Sequence, residues 1–293
     1  MKQFLSTDYQ DFMIIVTFFL FWTSIQFGQV IEDTIAYIFV LSLGIIHGAN
    51  DLNILQKKQL KKNNFLKSLF LYLFLILLCV FSFLLNPFVA VLLFVLLSAY
   101  HFGEQHLEKK ISGNLWLQSV IFISYGLLIF SLLFYENISD VNSIVSNLTQ
   151  HTIDQTLIEI VFFVASITLV GCFLFALYKK YILDINYFKE FLYLFVLFLV
   201  FKTGTLIFGF AVYFVFWHSI PSITDQIHYL FGVKSKNSVV KYFKSAFIYW
   251  VFSITGLVIA YYFLEEKLFN AVLFLILFAV TAPHTFVMKR MKE

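Results

Sequence analysis

Residues 65–103 read FLKSLFLYLFLILLCVFSFLLNPFVAVLLFVLLSAYHFG, and Lys67 is the one charged side chain in the run. A bilayer core about 30 Å thick needs about 20 apolar residues per helix. The run therefore predicts two crossings joined by a turn at Asn86-Pro87. The whole chain of 293 residues has the same character: 61% hydrophobic, 20% aromatic and 13% charged, with a mean hydropathy of +0.88. Soluble domains stay near 45–50% apolar and about 25% charged, so a soluble domain is excluded. Disorder is excluded too, because it needs low hydrophobicity. Long continuous apolar runs, in place of short alternating ones, exclude a membrane β-barrel. Three prolines and 11 glycines leave no linker-rich or collagen-like reading. The expected fold is an all-α polytopic transmembrane helix bundle, one integral-membrane domain over residues 1–293.

Working outward from residues 65–103 gives ten expected spans, at 11–28, 33–50, 65–85, 87–103, 115–135, 156–178, 188–203, 205–222, 243–264 and 268–288. The seventh and eighth meet at Lys202-Thr203-Gly204, as a tight hairpin or one broken helix. Lysine and arginine concentrate on the cytoplasmic side of membrane proteins. With both termini cytoplasmic, the inner segments hold Lys2, Lys57, Lys58, Lys61, Lys62, Lys67, Lys109, Lys110, Lys179, Lys180, Lys189, Lys234, Lys236, Lys241, Lys244, Lys289, Arg290 and Lys292, 18 of 20 basic residues. The net charge of +3 thus reflects topology and not nucleic-acid binding. No small-residue cleavage pattern follows the first span, which reads as a retained anchor. Cys79 and Cys172 lie inside spans and predict no disulfide.

Ionisable groups inside a membrane are costly and usually functional. Of seven histidines, His151 and His228 fall in loops, and His106 falls just past the fourth span. His47, His101, His218 and His284 lie near the inner ends of spans two, four, eight and ten, at similar depth. Neutral imidazole is the commonest metal ligand, and the shared layer points to a common metal site. All-imidazole sites suit iron, copper, zinc or nickel, and the residues alone leave that choice open. Asp51 follows His47 by four residues, Glu104 follows His101 by three, and Asp225 follows His218 by seven. Such carboxylates share a helix face with the imidazole and either orient it through its second nitrogen or serve as fallback ligands. Tyr100, Phe102 and Trp217, beside the candidate ligands, are expected pocket walls. Pro221 and Pro283 flank two of the candidates, and Pro221 should bend or end its helix.

The runs His47-Gly48-Ala49-Asn50-Asp51-Leu52, His101-Phe102-Gly103, Trp217-His218-Ser219 and Pro283-His284 resemble those of the Brp/Blh family of bacterial and archaeal β-carotene 15,15′-dioxygenases. The resemblance extends in order from the second span to the tenth. It implies a multi-pass enzyme of the bacterial inner (cell) membrane that binds Fe(II) through histidines. Such an enzyme takes its carotenoid from the bilayer and cleaves it centrally with O2 to two all-trans-retinal, which supply a retinal-binding microbial rhodopsin downstream. By the resemblance His47, His101 and His218 are catalytic iron ligands. The family often has a further histidine four residues after the position of His218. Here that position is Ser222, an unfilled ligand position, and His284 is the substitute by depth.

Three other readings are open, one of them a haem b protein with paired axial histidines. A di-iron desaturase needs about eight histidines in boxes such as H-x-x-H-H, and none occurs. A non-enzymatic carotenoid- or retinoid-binding membrane protein, or a transporter, would explain an apolar pocket but has no need of a histidine layer.

Overall fold

The computed structural model describes residues 2–58, 62–183 and 185–292. Lys61, one of the basic residues expected on the inner side, lies outside the described residues. The chain runs through α1 (Lys2–Phe27), α2 (Gln29–Phe39), a π-helical turn π1 (Val40–Gly44), α3 (Asp51–Lys58), α4 (Lys62–Leu85) and α5 (Pro87–Leu107). It continues through α6 (Leu115–Glu136), α7 (Ile138–Thr149), α8 (Gln155–Tyr178), α9 (Tyr187–Thr203), α10 (Leu206–Val212), a second π-helical turn π2 (Tyr213–Ser219), α11 (Ile220–Phe231), α12 (Lys236–Phe263) and α13 (Glu266–Lys292). The described residues form an all-helical structure with no strand; a single antiparallel bridge pairs Ile111 with Ile182.

Among the described residues seven helical stretches are long and apolar enough to cross a membrane, and they take in seven of the ten expected spans. The stretch Asp11–Phe27 is a shorter apolar helix at the first expected span. The other two expected spans differ. Residues 188–203 lie on α9, which has 17 residues. Residues 33–50 do not form one helix: α2 gives way to π1 and then to turns, before α3 starts at Asp51. The seventh and eighth spans are separate helices. Gly204 closes α9, and the Thr205 hydroxyl caps α10 by accepting from the Phe208 N–H at 3.3 Å. Similar caps start α6 at Asn114, α8 at Asp154 and α12 at Ser235. Each side-chain oxygen takes one of the first-turn N–H groups that a helix leaves unpaired.

The chain divides into two compact units. The first comprises residues 1–40, 99–142 and 153–219. In it α6 packs on α8 and α9, α1 on α9, and α10 on α2. The end of α5 meets α6 at backbone distance: a Cβ on Gly103 would lie 1.9 Å from the Phe122 carbonyl oxygen, and one on Gly126 would lie 1.9 Å from that of Ala99. Small residues permit such approaches between membrane helices, where dispersion forces replace the hydrophobic drive. The second unit comprises residues 41–98, 143–152 and 220–293. Here α13 packs on α4, α3 and α12, and α11 on α3 and α12. One of its apolar clusters joins Cys79, Ala90, Phe278 and Ala279, with Phe94 and Phe274 against them. Phe70, Leu77 and Leu84 of α4 and Phe252 and Tyr262 of α12 point outward, as lipid-facing helices do. Both cysteines are free, as their positions predict.

Candidate functional site

His47, His101, His218 and His284 are all buried. Two of them meet in each unit, and each pair is held differently.

In the second unit, π1 delivers the chain to His47. A π-turn carries one extra residue per turn and is frequent at functional sites. The Trp250 indole N–H donates to the Leu41 carbonyl within π1 at 2.6 Å. The His47 and His284 rings lie edge to face with centroids 4.8 Å apart. His47 Nδ1 contacts the Gly44 carbonyl oxygen. His284 Nδ1 lies 2.8 Å from Asp51 Oδ1. A carbonyl and a carboxylate only accept, so both Nδ1 atoms donate, and the lone pair of each neutral ring sits on Nε2. Asp51 is itself almost fully buried, and Tyr72 Oη donates to its other oxygen at 3.5 Å. Two buried imidazoles held through Nδ1, which present Nε2 as the lone-pair atom when neutral, are the donor set a divalent transition metal takes, and the carboxylate behind one of them fits that use.

In the first unit, the His101 and His218 ring centroids are 4.6 Å apart. His218 sits within π2, and aromatic rings pack on it: Phe102 at 4.4 Å and Phe214, nearly parallel, at 5.9 Å. Phe102 also stacks on Phe130. Trp217 is buried and donates its indole N–H to Thr17 Oγ1 at 3.2 Å, with its ring against Tyr193. Tyr100 is half-buried and donates to Glu104 Oε1 at 3.4 Å. Glu104 Oε2 is 4.0 Å from His101 Nδ1, beyond hydrogen-bond distance. The buried acid at i+3 therefore does not duplicate the Asp51 contact.

The remaining expected residues fall as follows. Ser222 is fully buried in α11, where its hydroxyl accepts from Gln226 Nε2 at 3.1 Å and stands 4.0 Å from Met288 Sδ. Asp225 is half-buried on the same helix. Its neighbour Gln226, which hydropathy passes over, is the α11 residue that reaches the His47 segment. His151 is exposed in a loop, as expected; His228 is exposed too, but it lies in the last turn of α11 and not in the loop expected for it, because α11 runs on to Phe231. His106 differs from expectation. It lies inside α5, which runs on to Leu107, and not in the following loop. Its Nε2 is 2.7 Å from Glu190 Oε2, its ring stacks on Tyr125 at 4.9 Å, and Lys110 pairs with the second oxygen of Glu190. An acid from α9 thus sustains the polar last turn of α5.

The family model for Beta-carotene 15,15'-dioxygenase matches residues 38–292. The chain belongs to this family. The match begins just before π1 and takes in every candidate ligand. Membership implies a dioxygenase that acts on β-carotene. No curated protein and no solved structure matches the chain.

Proposed function

We propose that the chain is a multi-pass enzyme of the bacterial inner membrane that cleaves β-carotene at its central 15,15′ double bond with O2. The products are two molecules of all-trans-retinal. One C=C and one O=O bond break and two C=O bonds form, so the reaction needs no external reductant. We read the whole chain as one integral-membrane domain of ten spans, the second of them broken after π1, with both termini cytoplasmic. Its product then serves a retinal-binding protein such as a microbial rhodopsin.

The ligands in this reading are His47, His101, His218 and His284, with Fe(II) as the metal. When bound, Fe(II) supplies open coordination positions for O2 beside the polyene. The observation that carries the reading is the pairing of buried imidazoles, with acceptors on the Nδ1 atoms of His47 and His284. Asp51 orients His284. Glu104 and Asp225 are reserve carboxylates, and Ser222, already engaged by Gln226, is no ligand. Tyr100, Phe102 and Trp217 line the substrate path and exclude water. An apolar substrate dissolved in the bilayer suits a chain whose outward faces are hydrocarbon.

Expression in β-carotene-producing bacteria tests this. Loss of colour with formation of retinal is expected. His47→Ala, His101→Ala, His218→Ala and His284→Ala should each abolish cleavage and lower the iron content of the purified protein. Unchanged pigment, with carotenoid bound to the protein, would favour a carrier.

A further inference from the structure

His47 stands where regular helix has stopped. In an α-helix its carbonyl would accept from the N–H of residue 51, but the Asp51 N–H donates to the Gly48 carbonyl at 3.3 Å. A carbonyl left over at a helix end needs another donor. Gln226 supplies it: its Nε2 donates to the His47 carbonyl oxygen at 2.8 Å. Since a carbonyl only accepts, the amide nitrogen must face it, and the amide oxygen must face the other way. Tyr242 Oη donates to Gln226 Oε1 at 2.8 Å and itself stands 3.5 Å from the His47 carbonyl oxygen. The second amide hydrogen goes to Ser222 Oγ. The same helix takes hold of the turn a second time: Asn50 Nδ2 donates to the Tyr242 carbonyl at 3.2 Å, and Ser245 Oγ donates to Asn50 Oδ1 at 2.8 Å. Gln226, Ser222, Tyr242 and Asn50 are all fully buried.

Burying a primary amide among membrane helices is costly unless its groups are satisfied, and here both amide hydrogens and the amide oxygen are used. We infer that Gln226, oriented by Tyr242, is a positioning residue that sets the place of the His47 imidazole by holding the carbonyl of that same residue. The Nδ1 contact to Gly44 ties the ring to the same short segment, so a shift of the carbonyl is a shift of the ring. This deepens the proposed function and rests on its assignment of His47 as a ligand.

The test uses the purified full chain in detergent, loaded in turn with Fe(II) and with Co(II), whose visible spectrum reports ligand geometry. Gln226→Leu keeps the bulk and loses both donors. Gln226→Glu keeps the acceptor for Tyr242 and loses the donor to His47, and it serves where the leucine variant does not fold. Each should bind metal about 10–100-fold more weakly, the usual effect of removing a ligand's support. Each should also change the Co(II) spectrum, in addition to whatever the orphaned buried partners take from the thermal midpoint of the metal-free protein. Tyr242→Phe should move the spectrum in the same direction by less. Parental metal affinity and spectrum in both Gln226 variants would overturn the inference, as would a lowered midpoint with an unaltered spectrum, which marks a packing role only. A parent that binds neither metal would instead overturn the proposed function and this inference with it.

Discussion

The two histidine pairs are held by different physics. In the second unit the imidazoles of His47 and His284 are oriented by oxygen acceptors on Nδ1, which set the tautomer as well as the ring angle. In the first unit the faces of Phe102 and Phe214 pack on His218, so the fit of aromatic rings bears on where its imidazole sits. A hydrogen bond is directional and is lost by changing one atom. A packed ring tolerates any replacement of similar volume. The two units should therefore fail under different substitutions.

The largest contrast involves two glycines, each close behind a candidate ligand. Gly103→Ala drives a methyl group into the Phe122 backbone, which cannot yield as a side-chain tip can. We expect a loss above about 4 kcal/mol, seen as absence of monodisperse protein on size-exclusion chromatography. At Gly48 the nearest atom to an added Cβ is Val280 Cγ1 at 3.8 Å. Gly48→Ala should fold, with a midpoint within about 1 kcal/mol of the parent. Next comes the pair of acids. Asp51→Asn should weaken iron binding about 10–100-fold, because an amide nitrogen can turn towards Nδ1 and reverse the tautomer. Glu104→Gln, acting on a contact of 4.0 Å, should weaken it by less than about 3-fold. Equal effects from the two, measured by metal titration, would erase the distinction. The smallest effect belongs to Phe102→Leu. Its apolar volume is nearly kept, so a cost of about 1 kcal/mol is expected, with iron content unchanged and the KM for carotenoid raised.

Composition and hydropathy make the helical membrane class legible, along with seven of the spans and the four buried histidines. Asn114, Asp154, Asn186, Thr205 and Ser235 are readable as helix starts, and each caps one. Other features were not legible, because they depend on partners distant in sequence. Hydropathy ends the fourth span at Gly103, since Glu104, Gln105 and His106 are polar. The helix continues because Glu190, 84 residues from His106, meets it there. The second span looks continuous because a π-turn costs no hydropathy. Asp51 lies four residues from His47 and was expected to serve it, yet its carboxylate reaches His284, 233 residues away. Gln226 left one faint signal, a lone amide one turn past Ser222 on an otherwise amphipathic helix.

The π-turn around His218 has a genetic consequence. Because it holds one residue more than an α-turn would, losing a single codon there need not break the rod. Removing Phe214 would allow residues 206–231 to wind as plain α-helix, with the segments before and after the lesion close to their present azimuths, because the wide turn already absorbs the extra residue. Such an in-frame deletion would erase the local bulge that seats His218 while keeping the same columns of side chains inward and leaving the rod long enough to cross the bilayer.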